Sequence, residues 1–140
     1  MITVKVIFRD NASLLKNHRI MSIYVRSSNP QKLVNDINEK IENSFIDTWS
    51  VDSDGDYTHT AEQWKNHAWI HPIIEPGRVV FAIWGRVNEN LSVVDYAIYH
   101  GRFVEMLLAH FDHQCDSIDV SSLGTKYDRI KAEPKKTETK

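Results

Sequence analysis

The 140-residue sequence has one cysteine, five glycines and no long apolar run, and each scarcity excludes a class of protein. A single cysteine cannot form an internal disulfide, so neither a disulfide-stapled fold nor a cysteine-based zinc cluster is expected. No apolar run approaches the roughly 18 residues of a transmembrane helix, and the N-terminal residues do not resemble a secretory signal. We therefore expect a cytoplasmic protein that makes no contact with a membrane.

A surplus of basic residues is also missing. The net charge is −2, and the last ten residues, KAEPKKTETK, contain four Lys and two Glu, which leaves −4 for the remainder. Binding to nucleic acid requires Lys and Arg gathered on one face, because binding releases counterions from phosphates. The acidic body therefore predicts no nucleic-acid partner. The length suits one domain, predicted at residues 1–125, and the polar segment 126–140 is predicted to be a disordered tail.

Several segments carry the residue pattern of β-strands. Alternating β-branched residues at 2–8 and 19–27 predict two strands that pair as a hairpin. Two apolar runs within residues 68–87 flank a Pro-Gly pair that suits a type II turn, which predicts a second hairpin with its later arm at the sheet centre. Residues 117–122 predict a short final strand.

Two helices are predicted from their capping residues. Ser28 and Asn29 precede Pro30, and Val34, Ile37, Ile41 and Phe45 follow at helical spacing on one predicted buried face. A second helix is predicted from the capping box of Ser92 and Asp95 to about Asp112. The element order ββα-ββ-ββ-α-β predicts an α+β fold, with a mainly antiparallel sheet and two principal helices packed on it.

The stretch VDSDGDYTHTAE, residues 51–62, resembles a calcium loop at first sight. Asp52, Asp54 and Asp56 match its first three ligand positions, but Tyr57 replaces the required glycine and Gln63 replaces the final glutamate. A hairpin turn fits better, because glycine stands third in a loop Ser53-Asp54-Gly55. This register predicts that Val51 pairs with Tyr57 and Trp49 with His59, and no metal is predicted here.

The second helix carries a histidine on its predicted buried face, which holds Tyr96, His100, Phe103, Val104, Leu107 and Phe111. One interpretation is a core histidine held by a single hydrogen bond. The alternative is a pocket between this helix and the sheet formed by Tyr96, His100 and Gly101, with the glycine leaving room. Tyr99 and Met106 are assigned to the opposite stripe, together with an i,i+3 pair of Arg102 and Glu105.

A further group is rich in tryptophan and histidine: Trp64, His67, Trp69, His71 and Trp84. One interpretation places most of these side chains in the core or over a sheet edge. The alternative is an aromatic surface that binds a protein or a small ligand, since tryptophan is typical of interface hot spots.

Sequence signatures of catalysis and of metal binding are missing. The chain contains no G-x-G-x-x-G, G-x-S-x-G or G-K-[ST] motif. His110, His113 and Cys115 stand close together, but their spacing matches no firm zinc pattern, and two histidines at a helix C-terminus also suit the helix dipole. We therefore predict no cofactor, no metal and no catalytic residue.

The leading functional hypothesis is a small non-catalytic binding protein of the toxin-neutralising or accessory type, which acts on a protein partner or on a second copy of itself. The alternative is a ligand-binding or hydrolytic domain with a pocket beside the second helix. Concavity separates the two hypotheses, because a pocket favours a small ligand and a flat aromatic patch favours a protein partner.

Overall fold

The computed structural model describes residues 4–7, 22–86, 91–121 and 129–131. Its strands form one eight-stranded sheet and its two helices pack on that sheet, which confirms the predicted α+β fold. The strands are β1 Val4–Ile7, β2 Ser22–Arg26, β3 Trp49–Val51, β4 Tyr57–His59, β5 Ala68–Glu75, β6 Arg78–Arg86, β7 Ser117–Ser121 and β8 Arg129–Lys131. The helices are α1 Pro30–Glu42 and α2 Val93–Phe111, and a 3₁₀ turn at Asp112–Gln114 follows α2.

The strand order is β1-β7-β2-β6-β5-β4-β3, and β8 pairs with β6 beyond the end of β2. All pairs are antiparallel except β1 with β7 and β6 with β8. The predicted hairpin of the first two strands is wrong, because β7 lies between them, with Val4 opposite Ile118 and Ile23 opposite Val120. Alternating β-branched residues favour a strand but do not specify its partner, and no tight-turn dipeptide joins these two.

Both predicted tight turns are present. Trp49 pairs with His59 and Val51 with Tyr57, and Gly55 takes the left-handed conformation at φ 83°. The turn of the second hairpin places Gly77 at φ 77° between the paired residues Glu75 and Arg78. Glycine is suited to both positions because it has no Cβ to clash at positive φ.

Side chains cap both helices at their N-termini. Asn29 accepts the backbone N–H of Lys32 at 3.1 Å, and Pro30 follows it as the first residue of α1. Helix α2 begins with the predicted reciprocal capping box of Ser92 and Asp95.

The end of α1 differs from the prediction. The N–H of Phe45 donates to the carbonyl of Lys40 and the N–H of Ser44 to that of Ile41, which closes a Schellman motif with Ser44 at φ 66°. The helical pattern therefore stops before Phe45, and this side chain is 73% exposed rather than buried.

The core lies between the two helices and one sheet face. Its members include Ile23, Val25, Leu33, Ile37, Ile70, Phe81, Ile83, Phe103, Leu107 and Ile118. Tyr99 and Met106 are buried as well, so their assignment to a solvated stripe is wrong. The ring of Trp49 packs edge-on against Tyr99 and Phe103, at 5.6 and 5.1 Å between centroids. The β3–β4 ribbon thus covers a second flank of α2 and widens its buried face.

Most of the predicted tail 126–140 lies outside the described residues. The part that is described, Arg129–Lys131, forms β8 beside Trp84–Arg86 of β6. Neither α1 nor α2, the helices of the described ranges, has the length and apolar character required to span a bilayer.

Candidate functional site

A cleft of about 440 Å³ opens between the β3–β4 ribbon, the turn that follows it, and one flank of α2. We call it the ribbon cleft. It is lined by Thr48, Trp49, His59, Ala61, Gln63, Trp64, Arg102, Glu105, Met106, Ala109 and His110.

Local structure on both sides positions these side chains. Cross-strand pairing sets the rings of Trp49 and His59 edge to face, at 5.1 Å between centroids. A single helical turn after β4, closed by hydrogen bonds from the N–H groups of Trp64 and Lys65 to the carbonyl of Ala61, forms the neighbouring wall. The third wall is α2, whose lining residues recur at helical spacing.

His59 is the polar group most enclosed by the cleft, since it is only 8% exposed. The backbone N–H of Ala61 donates to its Nδ1 at 3.1 Å. Because a backbone N–H can only donate, the ring proton of neutral His59 resides on Nε2. That Nε2–H forms no hydrogen bond within the parts of the chain that the structure describes. Burial and the Arg102 guanidinium lower the pKa of His59, and Glu105 opposes them, so the neutral form is favoured.

A charged pair stands at the rim of the ribbon cleft. Arg102 Nη1 lies 3.5 Å from Glu105 Oε1, and these side chains are 54% and 67% exposed. The lining is mixed: the buried Trp49 and Met106 and the half-buried Trp64 give it apolar patches, and polar side chains supply the remainder. Sites for small ligands combine apolar walls with a few placed polar groups, and the ribbon cleft offers both kinds of lining but is richer in polar groups.

The predicted aromatic surface divides into two groups. Alternation places Trp69, His71 and Trp84 together on the sheet face opposite the core residues. Trp64 packs against His67 at 6.0 Å between centroids, and His67 Nδ1 lies 3.0 Å from Asp95 Oδ1 at the start of α2. Burial raises the pKa of Asp95, but hydrogen bonds from His67 and Ser92 outweigh it, so the net shift is downward. Binding by this surface stays a prediction.

A carboxylate–imidazole pair lies within the first of these groups. His71 Nδ1 donates to the buried Asp56 at 2.6 Å, and the ring stacks on Trp84 at 4.0 Å between centroids. Such a carboxylate fixes the tautomer and the orientation of an imidazole. Sequence reasoning missed the pair, because the ribbon turn that carries Asp56 meets β5 only in the folded sheet.

The predicted pocket residues lie elsewhere on α2. His100 is buried, and its Nδ1 donates to the carbonyl of Tyr96 at 3.1 Å, a local hydrogen bond that suits a core histidine. Gly101 faces solvent, and an added Cβ would meet nothing within 4 Å, so it leaves no room beside His100. A ligand site at these residues stays a prediction, and it is separate from the ribbon cleft.

The described residues contain one group of possible metal ligands, Asp52, Asp54 and Asp56, with ligand atoms within 4.8 Å of one another. Asp52 Oδ1 accepts the N–H groups of Asp54 at 2.9 Å and Asp56 at 3.0 Å, as in an Asx turn. These bonds explain the approach of the carboxylates without an ion. Cys115 is buried, and burial with Asp112 and Asp116 raises its pKa to about 11.

A second cleft of about 370 Å³ adjoins the exposed Phe45, and we call it the corner cleft. It is lined by Lys32, Asp36, Glu39, Lys40, Asn43, Phe45, Phe111, His113 and Gln114. The Lys40 ammonium lies 5.3 Å from the centroid of the Phe111 ring, so the cleft combines an aromatic floor with a charged rim.

No family model, curated protein or solved structure matches this chain. Function therefore has to be argued from the geometry of these sites.

Proposed function

We propose that this protein is a non-catalytic binding protein whose site is the ribbon cleft, and that the cleft holds a small organic ligand. One observation carries the proposal: the cleft is lined by the buried His59, whose Nε2–H has no hydrogen-bond partner among the described residues. A buried donor left unpaired costs about 1–3 kcal/mol, and a ligand that accepts its hydrogen bond recovers part of that cost.

The size of the cleft supports the same conclusion. Small-molecule sites usually measure about 300–1,000 Å³, with mostly apolar walls and a few polar groups. The ribbon cleft has about 440 Å³, with Trp49, Trp64 and Met106 as apolar wall residues and His59 as the deep donor.

The chemistry of His59 favours binding over acid–base catalysis. Its Nδ1 already accepts a backbone hydrogen bond, and its Nε2 carries a proton in the neutral ring. Taking up a second proton would break the bond from Ala61, and the lowered pKa points the same way. His59 therefore serves as a fixed neutral donor.

A thermal-shift screen of small organic metabolites tests the proposal, because a ligand that binds only the native state stabilises it by mass action. Ala109→Trp fills the ribbon cleft from α2, and Ala97→Trp adds the same volume at an exposed position of α2 outside the cleft. We expect at least one compound to stabilise the wild type and Ala97→Trp but not Ala109→Trp. Stabilisation that persists in Ala109→Trp would contradict the assignment of the site.

A protein partner is the second candidate function, and the exposed Phe45 favours it. Its backbone N–H donates to the carbonyl of Lys40 in the Schellman motif that ends α1, and its side chain stands 73% exposed beside the corner cleft. A pre-organised aromatic side chain next to a cleft with an aromatic floor and a charged rim resembles an interface hot spot. Cytoplasmic location and self-association stay predictions.

Affinity capture with matched variants separates a specific partner from background. Phe45→Ser removes the exposed aromatic, and Leu108→Ser removes another exposed apolar side chain outside the corner cleft. A protein retained by the wild type and by Leu108→Ser, but lost with Phe45→Ser, would support this second function. Equal capture by all three proteins would count against it.

A further inference from the structure

We infer that the ribbon cleft selects ligands with a carboxylate group on an apolar body, with His59 Nε2–H donating to one carboxylate oxygen and Arg102 balancing the charge. This inference rests on the proposed function, since it names the ligand class of the same cleft.

The deep polar group of the cleft can only donate. The bond from Ala61 to Nδ1 leaves Nε2 protonated, and burial keeps the ring neutral. A ligand atom that meets this N–H must therefore be an acceptor, such as an oxygen, and a ligand ammonium in that place would leave two donors facing each other. An amine is therefore excluded as the ligand group that meets His59.

The cation of the cleft favours an acceptor that is anionic. Arg102 and His59 both line the ribbon cleft, so a carboxylate bound there faces both groups, and the guanidinium also contributes to the lowered pKa of the imidazole. Hydrogen bonds from charged or polar donors to a carboxylate are roughly twice as strong as those between neutral groups.

The carboxylate of Glu105 repels an anionic ligand. Its exposure and its ion pair with Arg102 indicate how strong this repulsion is. It is the more exposed partner, at 67% against 54% for Arg102, so solvent screens its charge more. It is also already paired with the guanidinium at 3.5 Å. The repulsion between Glu105 and a ligand carboxylate is therefore weaker than the attraction of that carboxylate to Arg102 and His59.

The walls define the remainder of the ligand. The indoles of Trp49 and Trp64 and the thioether of Met106 offer aromatic and sulfur contacts to a flat or aliphatic body. An aromatic carboxylate about the size of phenylacetate satisfies the donor, the cation and these walls together.

Three probes of nearly equal size test the ligand class: phenylacetate, 2-phenylacetamide and phenethylamine. Titration of the isotope-labelled protein at pH 7 and low salt, followed by NMR, reports affinity from the Met106 methyl signal. The His59 imidazole ¹⁵N signals report the protonation of Nε2 independently. We expect phenylacetate to bind about tenfold more tightly than phenethylamine, and to shift the Nε2–H resonance.

Matched variants assign the preference to Arg102. Arg102→Gln removes an exposed charge and should not disturb folding, and Lys65→Gln removes another exposed charge outside the cleft. The preference for phenylacetate over 2-phenylacetamide should vanish in Arg102→Gln and persist in Lys65→Gln. His59→Phe should weaken binding of both oxygen-bearing probes.

The outcomes separate this inference from the proposed function. If phenethylamine binds as tightly as phenylacetate, or if Arg102→Gln keeps the preference, the carboxylate class is overturned. If none of the probes shifts the Met106 signal at millimolar concentration, the class is overturned as well. The proposed function fails only if no compound of the broad screen loses its stabilising effect in Ala109→Trp.

Discussion

At the scale of single residues, His59 links protonation to stability. Burial and Arg102 lower its pKa in the folded protein, so the unfolded chain takes up this proton first as the pH falls. The stability contributed by neutral His59 is complete above the unfolded-state pKa of about 6.5, and it is lost as the pH falls from there towards the lower folded-state pKa. We expect the free energy of unfolding to decrease between about pH 6.5 and 5 more steeply in the wild type than in His59→Phe.

Urea denaturation at a series of pH values measures this difference. His113→Phe is a suitable control, because His113 is exposed and lies outside the ribbon cleft. The control should keep the slope of the wild type. Identical slopes in all three proteins would show that His59 titrates alike in the folded and unfolded states.

Ser44 holds a backbone conformation that suits glycine. Its φ of 66° costs an L-residue roughly 1–2 kcal/mol, and Ser44→Gly removes this cost while adding entropy to the unfolded chain. We expect a net gain of up to about 1 kcal/mol in the free energy of unfolding, measured by urea denaturation. Asn66→Gly, at φ 61°, should gain less, because asparagine tolerates this region better. A loss of stability in Ser44→Gly would contradict the assigned conformation.

At the scale of elements, features set by neighbouring residues were predictable. The register of Trp49 with His59, the two glycine turns and the start of α2 all depend on residues close in the sequence, and all are confirmed. Features that depend on distant partners were not. The partner of β1, the burial of Tyr99 and the exposure of Phe45 follow from how the elements pack.

The ribbon cleft also depends on how distant elements pack, so it could not be predicted from the sequence. The pairing of His59 with Trp49 and the spacing of Arg102 with Glu105 were both visible in the sequence, but as separate features of a hairpin and a helix. Only the packing of the ribbon on α2 brings them to one cleft. A helix flank with an exposed ion pair gives no sign in the sequence that a ribbon will cover its other side.

Two variants test which residue caps the N-terminus of α1. Asn29 accepts the N–H of Lys32, whereas its neighbour Ser28 is exposed and has no such role in the cap. Asn29→Ala should lower the free energy of unfolding by about 1 kcal/mol, because an N–H at the helix start loses its acceptor. Ser28→Ala should change it by less than about half of that. Chemical denaturation of the two variants measures both changes. Equal losses in the free energy of unfolding would contradict the assignment of Asn29 as the cap.

At the scale of the whole molecule, Phe81 joins the sheet, the ribbon and α2. Its ring lies 6.4 Å from that of Tyr57 and 4.8 Å from that of Phe103, between centroids, and it is fully buried. Phe81→Ala removes contacts to three elements and should lower the free energy of unfolding by about 3–5 kcal/mol.

Denaturant unfolding checks the size of this effect, and Phe45→Ala supplies the matched control. The same truncation at the exposed Phe45 should cost less than about 1 kcal/mol, because that ring is mostly in water already. A comparable cost at both positions would contradict the position of Phe81 at the junction of the layers.

Strand β7 has a consequence for how the chain acquires its structure. It lies between β1 and β2, where Val4 faces Ile118 and Val25 faces the same residue from the other side. The pairing of β7 with β1 and with β2 joins segments that are far apart in the sequence, and closing such long loops is entropically costly. Folds rich in distant contacts therefore form slowly. During synthesis, β1 and one edge of β2 therefore stay unpaired until β7, which follows α2 in the chain, has been synthesised. Until then, β2 offers unpaired backbone groups to other nascent chains, and this edge is where aggregation would begin.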